Sequence, residues 1–391
     1  MKPPADPIAA VTHPNPYPYY RELVARRPLH RNDALGLWVA ASADAVIAVL
    51  TSPLGRVRPA AEPVPAALAG SPAADIFGRL VRMTDGHGHG AMKPAVAAAI
   101  ETHDANRARA LAERWARTLA VEIDPRSSPT RLDDFTLALS THVIASLLGV
   151  PDQALRHVER CVGRYVNGVS PGADVARLEQ GKEAARDLID LMGSPVIASG
   201  SGLLSVLRRE ARRAGCEDAE AIVANAIGLM TQAYEATAGL IGNTLLALAV
   251  RPQLSARIPT DAGLLDDVIR EVLRHDPPVQ NTRRFITAEG QIAGRRMRAG
   301  DTVLVVLAAA NHDAAANPAP ERFDAARVHR RTFTFGAGPH ACPGEQLAVT
   351  IARAGIEGLL ARGLPLASLS GTVTYRPSTN VRVPLFASGT G

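Results

Sequence analysis

Glu217 to Val250 reads as one long helical stretch of mostly apolar residues, with Ile222, Ile227, Leu229, Met230, Leu240, Ile241 and Leu245 spread around it. It is well over twice the usual helix length of about 12 residues. A helix that is apolar on every side must be covered on every side, so this stretch is expected to cross the middle of the molecule. Five other segments, Asp104 to Ile123, Leu132 to Leu148, Pro151 to Tyr165, Val175 to Met192 and Gly202 to Ala214, repeat apolar residues at helical spacing with no strand between them. The fold class is therefore mainly α with small β-sheets. No Ser, Gly or charge-rich linker divides the 391 residues, and a hydrophobic share of 47% suffices for one sizeable core, so a single domain over 1–391 is expected.

The second constraint is the segment Phe335 to Glu345, which holds three glycines, two prolines and one cysteine just before a helical pattern resumes at Gln346. Such a loop is tightly turned, and the helix start that follows aims backbone N–H groups at Cys342, which favours a thiolate. The candidate roles are a buried structural thiol, a zinc ligand, a nucleophile and a haem ligand. Zinc wants about four ligands, and only His340 is near in sequence. A nucleophile needs a base whose orientation in this loop cannot be assumed. A phosphate loop wants Gly-Lys-Ser/Thr, which is absent. An axial ligand to haem iron needs one sulfur with backbone donors around it, and fits better.

Phe335, Gly336, Gly338, His340, Cys342 and Gly344 match the pattern F-G-x-G-x-H-x-C-x-G, and the segment resembles the cysteine loop of the cytochrome P450 family. The resemblance extends from about Pro16 to Phe386. It implies the cytochrome P450 fold, with haem b between the long central helix and the cysteine loop. Cys342 would be the iron's thiolate ligand, with Phe335 and Gly336 among the haem contacts. His89 and Lys93 match a His followed four residues later by Arg, which holds haem propionates. Lysine keeps the charge and loses the bidentate fork. Arg284, with Arg283 as the fallback, and His340 would complete the propionate anchors. Pro94 after Lys93 requires the helix there to begin within a turn of it.

The family's A/G-G-x-D/E-T-T segment aligns with Gln232-Ala233-Tyr234-Glu235-Ala236-Thr237. Only Glu235 and Thr237 match. Ala236 replaces the oxygen-side threonine and has no proton to donate, so Glu235, Ala236 and Thr237 are the residues on which oxygen chemistry would turn. The family's E-x-x-R pair is Glu271 and Arg274, with Arg322 as the third charged member of a lock supporting the haem loop. Gln232, Val279, Gln280, Asn281, Ser378 and Thr379 are expected to face the substrate. The irregular, proline-rich segment from Ser52 to Asp85 would line or cover the pocket between Arg58 and Arg82. The break from Asn167 to Gly172 is mobile in the family and admits substrate.

Elsewhere, Tyr17 to Arg26 reads as a helix, Leu29 to Ala41 as two strands, Ser42 as the N-cap of Ala43 to Thr51, Leu264 to His275 as a helix, Arg284 to Thr287 and Thr302 to Ala308 as strands, and Tyr375 to Pro384 as a last hairpin. The net charge of +5 shows no clustered basic patch with interleaved aromatics, which argues against nucleic acid. The first 20 residues contain six prolines and no long apolar run, so neither a signal peptide nor a membrane anchor is expected. Three separated cysteines agree with a cytoplasmic setting.

The expected activity is a haem-thiolate monooxygenase acting on a small to medium apolar organic molecule of the secondary-metabolite kind, with electrons from ferredoxin and ferredoxin reductase. A peroxide-using or oxidative-coupling member is the alternative that Ala236 raises. A haem-based sensor or carrier is the alternative from another class.

Overall fold

The structure, a computed structural model, describes residues 2–128, 130–198, 200–371 and 373–386. Helix α1 (Tyr17–Arg26), strands β1 (Leu29–Asn32) and β2 (Leu37–Ala40), helix α2 (Ala43–Thr51) and strand β3 (Gly55–Arg56) come first. A run of helices follows: α3 (Pro72–Arg79), α4 (Gly86–Glu101), α5 (Ala105–Glu122), α6 (Arg131–Leu148), α7 (Leu155–Val169), α8 (Val175–Gly193), the single turn α9 (Pro195–Ala198), α10 (Leu203–Arg213) and α11 (Ala219–Ala249). After α12 (Pro252–Ser255) and α13 (Leu264–His275) come β4 (Thr282–Ile286), β5 (Gly290–Ile292), β6 (Arg295–Met297), β7 (Thr302–Val305) and α14 (Leu307–Asn311). The cysteine loop then leads into α15 (Glu345–Ala361), and β8 (Thr374–Tyr375) pairs with β9 (Pro384–Leu385).

The long helix is where its composition put it. Asp218 caps α11 by accepting from the Ala221 N–H at 3.0 Å, and buried residues occupy every face of its 31-residue length. Two glycines let other backbone come close: a Cβ at Gly239 would sit 2.7 Å from the Arg382 carbonyl, and one at Gly242 would sit 2.5 Å from Pro384. The largest hydrophobic cluster gathers residues from Leu68 to Phe386 around this helix. The five-stranded sheet, in the order β1-β2-β7-β4-β3, carries a separate cluster shared with α2 and α14. Among the described residues no single helix is long and apolar enough to cross a membrane.

Three expectations are corrected. The proline-rich segment contains α3, because Pro72 occupies the first turn, where its missing N–H costs nothing, and Ser71 caps the helix by accepting from Ala74 at 3.4 Å. Helix α4 begins at Gly86, eight residues before Pro94, so the proline lies inside the helix and leaves the Gly90 carbonyl without its usual donor. Burial of Met92, Ala95, Val96, Ala99 and Ile100 on the face that follows holds the helix through that break. The strand from Thr302 ends at Val305 and gives way to α14.

A buried arginine closes the molecule. Arg382 is 1% exposed; its Nε donates to Asp276 at 2.9 Å and its terminal nitrogens donate to the carbonyls of Val11, His13 and Pro14. The Tyr17 hydroxyl donates to the same Asp276.

Candidate functional site

The cysteine loop is built by backbone geometry. Gly336 and Gly338 both adopt positive φ, +71° and +69°, which side-chain-bearing residues rarely take. A Cβ at Gly338 would also press within 3.1 Å of α2 at Leu50 and Thr51. The Gly336 N–H donates to the Phe333 carbonyl and the Cys342 N–H to the Phe335 carbonyl, each at 2.8 Å. These bonds fold the loop back on itself. The Cys342 thiol stays exposed, and the Gly344 N–H donates to Sγ at 3.4 Å just before α15 begins. Cys161 contrasts with it: burial, then Asp187, pushes that thiol up to about 11 and keeps it protonated.

Behind the loop lies a fully buried ion pair. Arg274 donates to Glu271 Oε1 from Nε at 3.0 Å and from Nη2 at 2.6 Å, with both side chains 0% exposed. Its remaining donors go to the carbonyls of Asn311, Pro320 and Arg322. Arg322 was expected as the third charge, and the structure corrects this: its side chain is 73% exposed and pairs with Asp324, and only its carbonyl joins the lock. The further charges on Glu271 are Arg330 at 3.0 Å and Arg327 at 3.5 Å. Burial raises the Glu271 pKa, but Arg274, the Asp324 N–H and Arg330 outweigh it and hold the carboxyl below the ordinary range. Asn311 extends the lock by accepting from the Phe333 N–H at 2.7 Å and donating to Leu273 and Thr334. The loop's entry is thereby tied to α13.

On the other side of the loop, α4 brings His89 and Lys93. Lys93 Nζ donates to the Ala341 carbonyl, one residue from the cysteine. His89 is 9% exposed, packs 4.1 Å from the His340 ring, and its buried Nε2 has no partner among the described residues. Burial, then His340 and Lys93, lowers its pKa to about 4, so the ring is neutral near pH 7. His340 Nε2 pairs with Asp85 at 3.1 Å. Arg284 is 6% exposed and donates to the Arg283 carbonyl, and among the described residues neither it nor Lys93 has a carboxylate within ion-pair distance. An orphaned histidine nitrogen and two desolvated cations without acids fit a cofactor that brings two carboxylates, as haem does.

The centre of α11 carries partly exposed residues, Leu229, Gln232, Ala233 and Ala236 on one helical face and Thr231 and Glu235 on another. On the first face, surface at that depth faces an internal space. Thr237 is 2% exposed, and its hydroxyl has no hydrogen bond among the described residues. Glu235, on the second face, pairs with Arg376 at 3.1 Å. Burial raises its pKa more than Arg376 lowers it.

Among the expected substrate contacts, Gln280 and Asn281 are corrected. They are 0% and 1% exposed, and present no surface to any space. Gln280 accepts from Tyr20 at 3.0 Å and donates to Pro277 at 2.6 Å; Asn281 donates to the Thr379 carbonyl at 2.9 Å. Ser378 serves its own turn, accepting from the Val381 N–H at 3.0 Å. Val279 bridges to Val381 and remains partly exposed. A residue that sequence reasoning missed is Asn225, 2% exposed on α11, which accepts from the Val81 N–H and donates to the Arg79 carbonyl, each at 2.8 Å. Only its polarity within an apolar helix could have marked it.

The profile of the cytochrome P450 family matches residues 203–362. The chain is 30% identical over 348 residues to the 20-oxo-5-O-mycaminosyltylactone 23-monooxygenase of Streptomyces fradiae, an alignment covering 88% of this chain and 81% of that protein. It is 31% identical to the 6-deoxyerythronolide B hydroxylase of Saccharopolyspora erythraea over 64% of this chain and 63% of the other. Among solved structures it is similar to CalO2, with a TM-score of 0.79, 26% identity, and 96% of each chain covered.

Proposed function

The chain belongs to the cytochrome P450 family and is an oxidoreductase of the monooxygenase type, and on that premise we propose that it oxidises an organic small molecule of secondary metabolism at a haem held by Cys342. The observation that carries the site assignment is the unpaired, desolvated set of His89, Lys93 and Arg284 around a loop that presents one thiol. Lys93 and Arg284 would neutralise the propionates, and neutral His89 would donate from Nε2. Haem, when bound, would supply dioxygen activation, and the thiolate of Cys342 would hold its iron.

The chain's own residues set the rest. Gly344 N–H steadies the sulfur, and the Glu271–Arg274 lock holds the loop that carries it. On α11, Gln232, Ala233 and Ala236 face the internal space with no hydroxyl among them. Proton delivery on that side therefore falls to a water or to a hydroxyl of the substrate. Ala236 also favours a second reading, in which peroxide is the oxidant. Ferredoxin with its reductase is the proposed electron source, and the proposed setting is the cytoplasm, as one unit over 1–391.

The test is reconstitution with haem, a carbon-monoxide difference spectrum, and product analysis under labelled dioxygen with ferredoxin and with peroxide in parallel. A thiolate-type band lost in Cys342→Ser, and a product with one oxygen atom from dioxygen, are expected. A histidine-type band in the parent chain would overturn the ligand assignment. Product formed only with peroxide would select the second reading.

A further inference from the structure

Among the described residues, one group of three side chains outside the cysteine loop brings metal-ligand atoms together: His157 and Cys161 of α7 and Asp187 of α8. His157 Nε2 lies 3.6 Å from Cys161 Sγ, Asp187 Oδ2 lies 3.8 Å from the same sulfur, and Nε2 and Oδ2 are 3.8 Å apart. The three atoms therefore stand at the corners of a nearly equilateral triangle. Zinc bonds of about 2.3 Å to sulfur and about 2.0–2.2 Å to nitrogen and oxygen, at tetrahedral angles, set such atoms about 3.3–3.6 Å apart. A small inward movement of the side chains closes the difference.

The helix pair fixes this arrangement. Residues four apart share a helix face, so His157 and Cys161 point to one side of α7. Asp187 is brought to that side by close packing: a Cβ at Gly168 would lie 2.7 Å from Gly181 Cα, and one at Gly181 would lie 2.9 Å from Gly168 Cα, so the backbones of α7 and α8 touch. Gly168 is about two turns along the helix from Cys161, and Gly181 a little less from Asp187. Each member of the triangle alone has an ordinary explanation. A thiol on a residue 3% exposed fills space as a small hydrophobe, and a histidine beside an aspartate at the surface is an ion pair when protonated. Neither explains why all three atoms converge. The sulfur is buried while the His157 and Asp187 side chains are 47% and 50% exposed, so an ion can enter from solvent and complete its shell with water.

We propose that His157, Cys161 and Asp187 bind one zinc ion, with water as the fourth ligand, and that the ion clasps α7 to α8 on the two sides of the 170–174 link. The donor set selects the ion: thiolate and imidazole suit zinc, whereas calcium and magnesium want oxygen throughout. Thiolate and carboxylate together cancel the ion's two charges. As the sulfur–zinc bond forms, the Cys161 thiol gives its proton to solvent, and no electron is transferred. This site is independent of the monooxygenase reading.

The test adds zinc to the untagged, haem-loaded full chain after a chelator has stripped loosely held metal, and follows binding by calorimetry and by X-ray absorption at the zinc edge. One ion per chain is expected, with micromolar or tighter affinity and a shell of one sulfur at about 2.3 Å and otherwise lighter ligands. Asp187→Asn and His157→Gln, both at exposed side chains, should each weaken binding by at least the about 10–100-fold that losing a ligand's supporting partner costs. Cys161→Ser should remove the sulfur from the spectrum. Amide exchange in α7 and α8 should slow when zinc is added to the parent chain and not when it is added to Asp187→Asn. No stoichiometric binding, a zinc shell without sulfur, a sulfur signal that persists in Cys161→Ser, or affinity unchanged in either exposed variant overturns the site. Zinc bound with α7 and α8 exchanging as before overturns the clasp.

Discussion

Glu271 on α13, fully buried, and Glu235 on α11, partly buried, are both carboxylates beside an arginine, yet their surroundings treat the charge in opposite ways. Glu271 is 0% exposed and accepts from Arg274, the Asp324 N–H, Arg327 and Arg330, so its ionised form is held firmly. Among the described residues Glu235 is paired with Arg376 alone, and burial wins. The contrast extends to the neighbourhoods. Behind the cysteine loop the lock's charges are matched; on its other side the buried Nε2 of His89 has no hydrogen-bond partner among the described residues. A region that only holds the loop is complete in itself, whereas a region that receives a molecule is complete only with that molecule.

The largest expected effect breaks the complete side. Glu271→Ala would strand Arg274 in the interior and cost about 3–5 kcal/mol, read as a lower melting temperature and loss of bound haem. A loss under about 1 kcal/mol would sink the idea that the lock carries the loop.

Next comes pH. The Glu271 pKa is below its unfolded value, so its contribution is present above the ordinary carboxylate range and is lost as pH falls through the folded value. The Glu235 pKa is raised, so its contribution is full below the ordinary range and is lost as pH rises through the folded value. Melting curves across pH should show Glu271→Gln removing the acid-side slope and Glu235→Gln removing the slope above the carboxylate range. The same limb flattened by both variants would erase the contrast.

A smaller effect is expected at Ala236, which borders the internal space. Ala236→Thr should change the fraction of consumed electrons that appear in product by roughly twofold or more, since it restores a hydroxyl near the proposed oxygen side. Unchanged coupling would show that the missing hydroxyl does not matter. Smallest of all, Arg322→Ala should alter stability by no more than about 0.5 kcal/mol, because that side chain lies at the surface.

Legibility in the sequence followed how local each signal is. Cys342, Gly336 and Gly338 stand in one short segment whose turn chemistry is visible residue by residue, and α11 and α13 announced themselves by apolar repetition. Glu271 and Arg274 share one helix face, so their pairing could be anticipated. Arg327 and Arg330 come from irregular chain, where no period says which arginine turns inward, and Arg322 was the nearer but wrong choice. Helix α3 was hidden because Pro72 reads as a breaker unless its first-turn position is known. Gln280 looked like a pocket residue because strand position says nothing about Tyr20, 260 positions away, which accounts for its oxygen.

Arg382 donates to the carbonyl of Val11 across 371 positions of chain, and to those of His13 and Pro14 nearby. Contacts so distant in sequence form late, since most of the polypeptide must exist before they close. At synthesis rates of about 5–20 residues per second, roughly 20–70 s pass between the making of Val11 and the making of its partner. During that interval the carbonyls of Val11, His13 and Pro14 lack the guanidinium that later receives them. The order of birth of this chain therefore leaves its first residues waiting for Arg382, a period in which a chaperone or a misfolded neighbour would find that segment first.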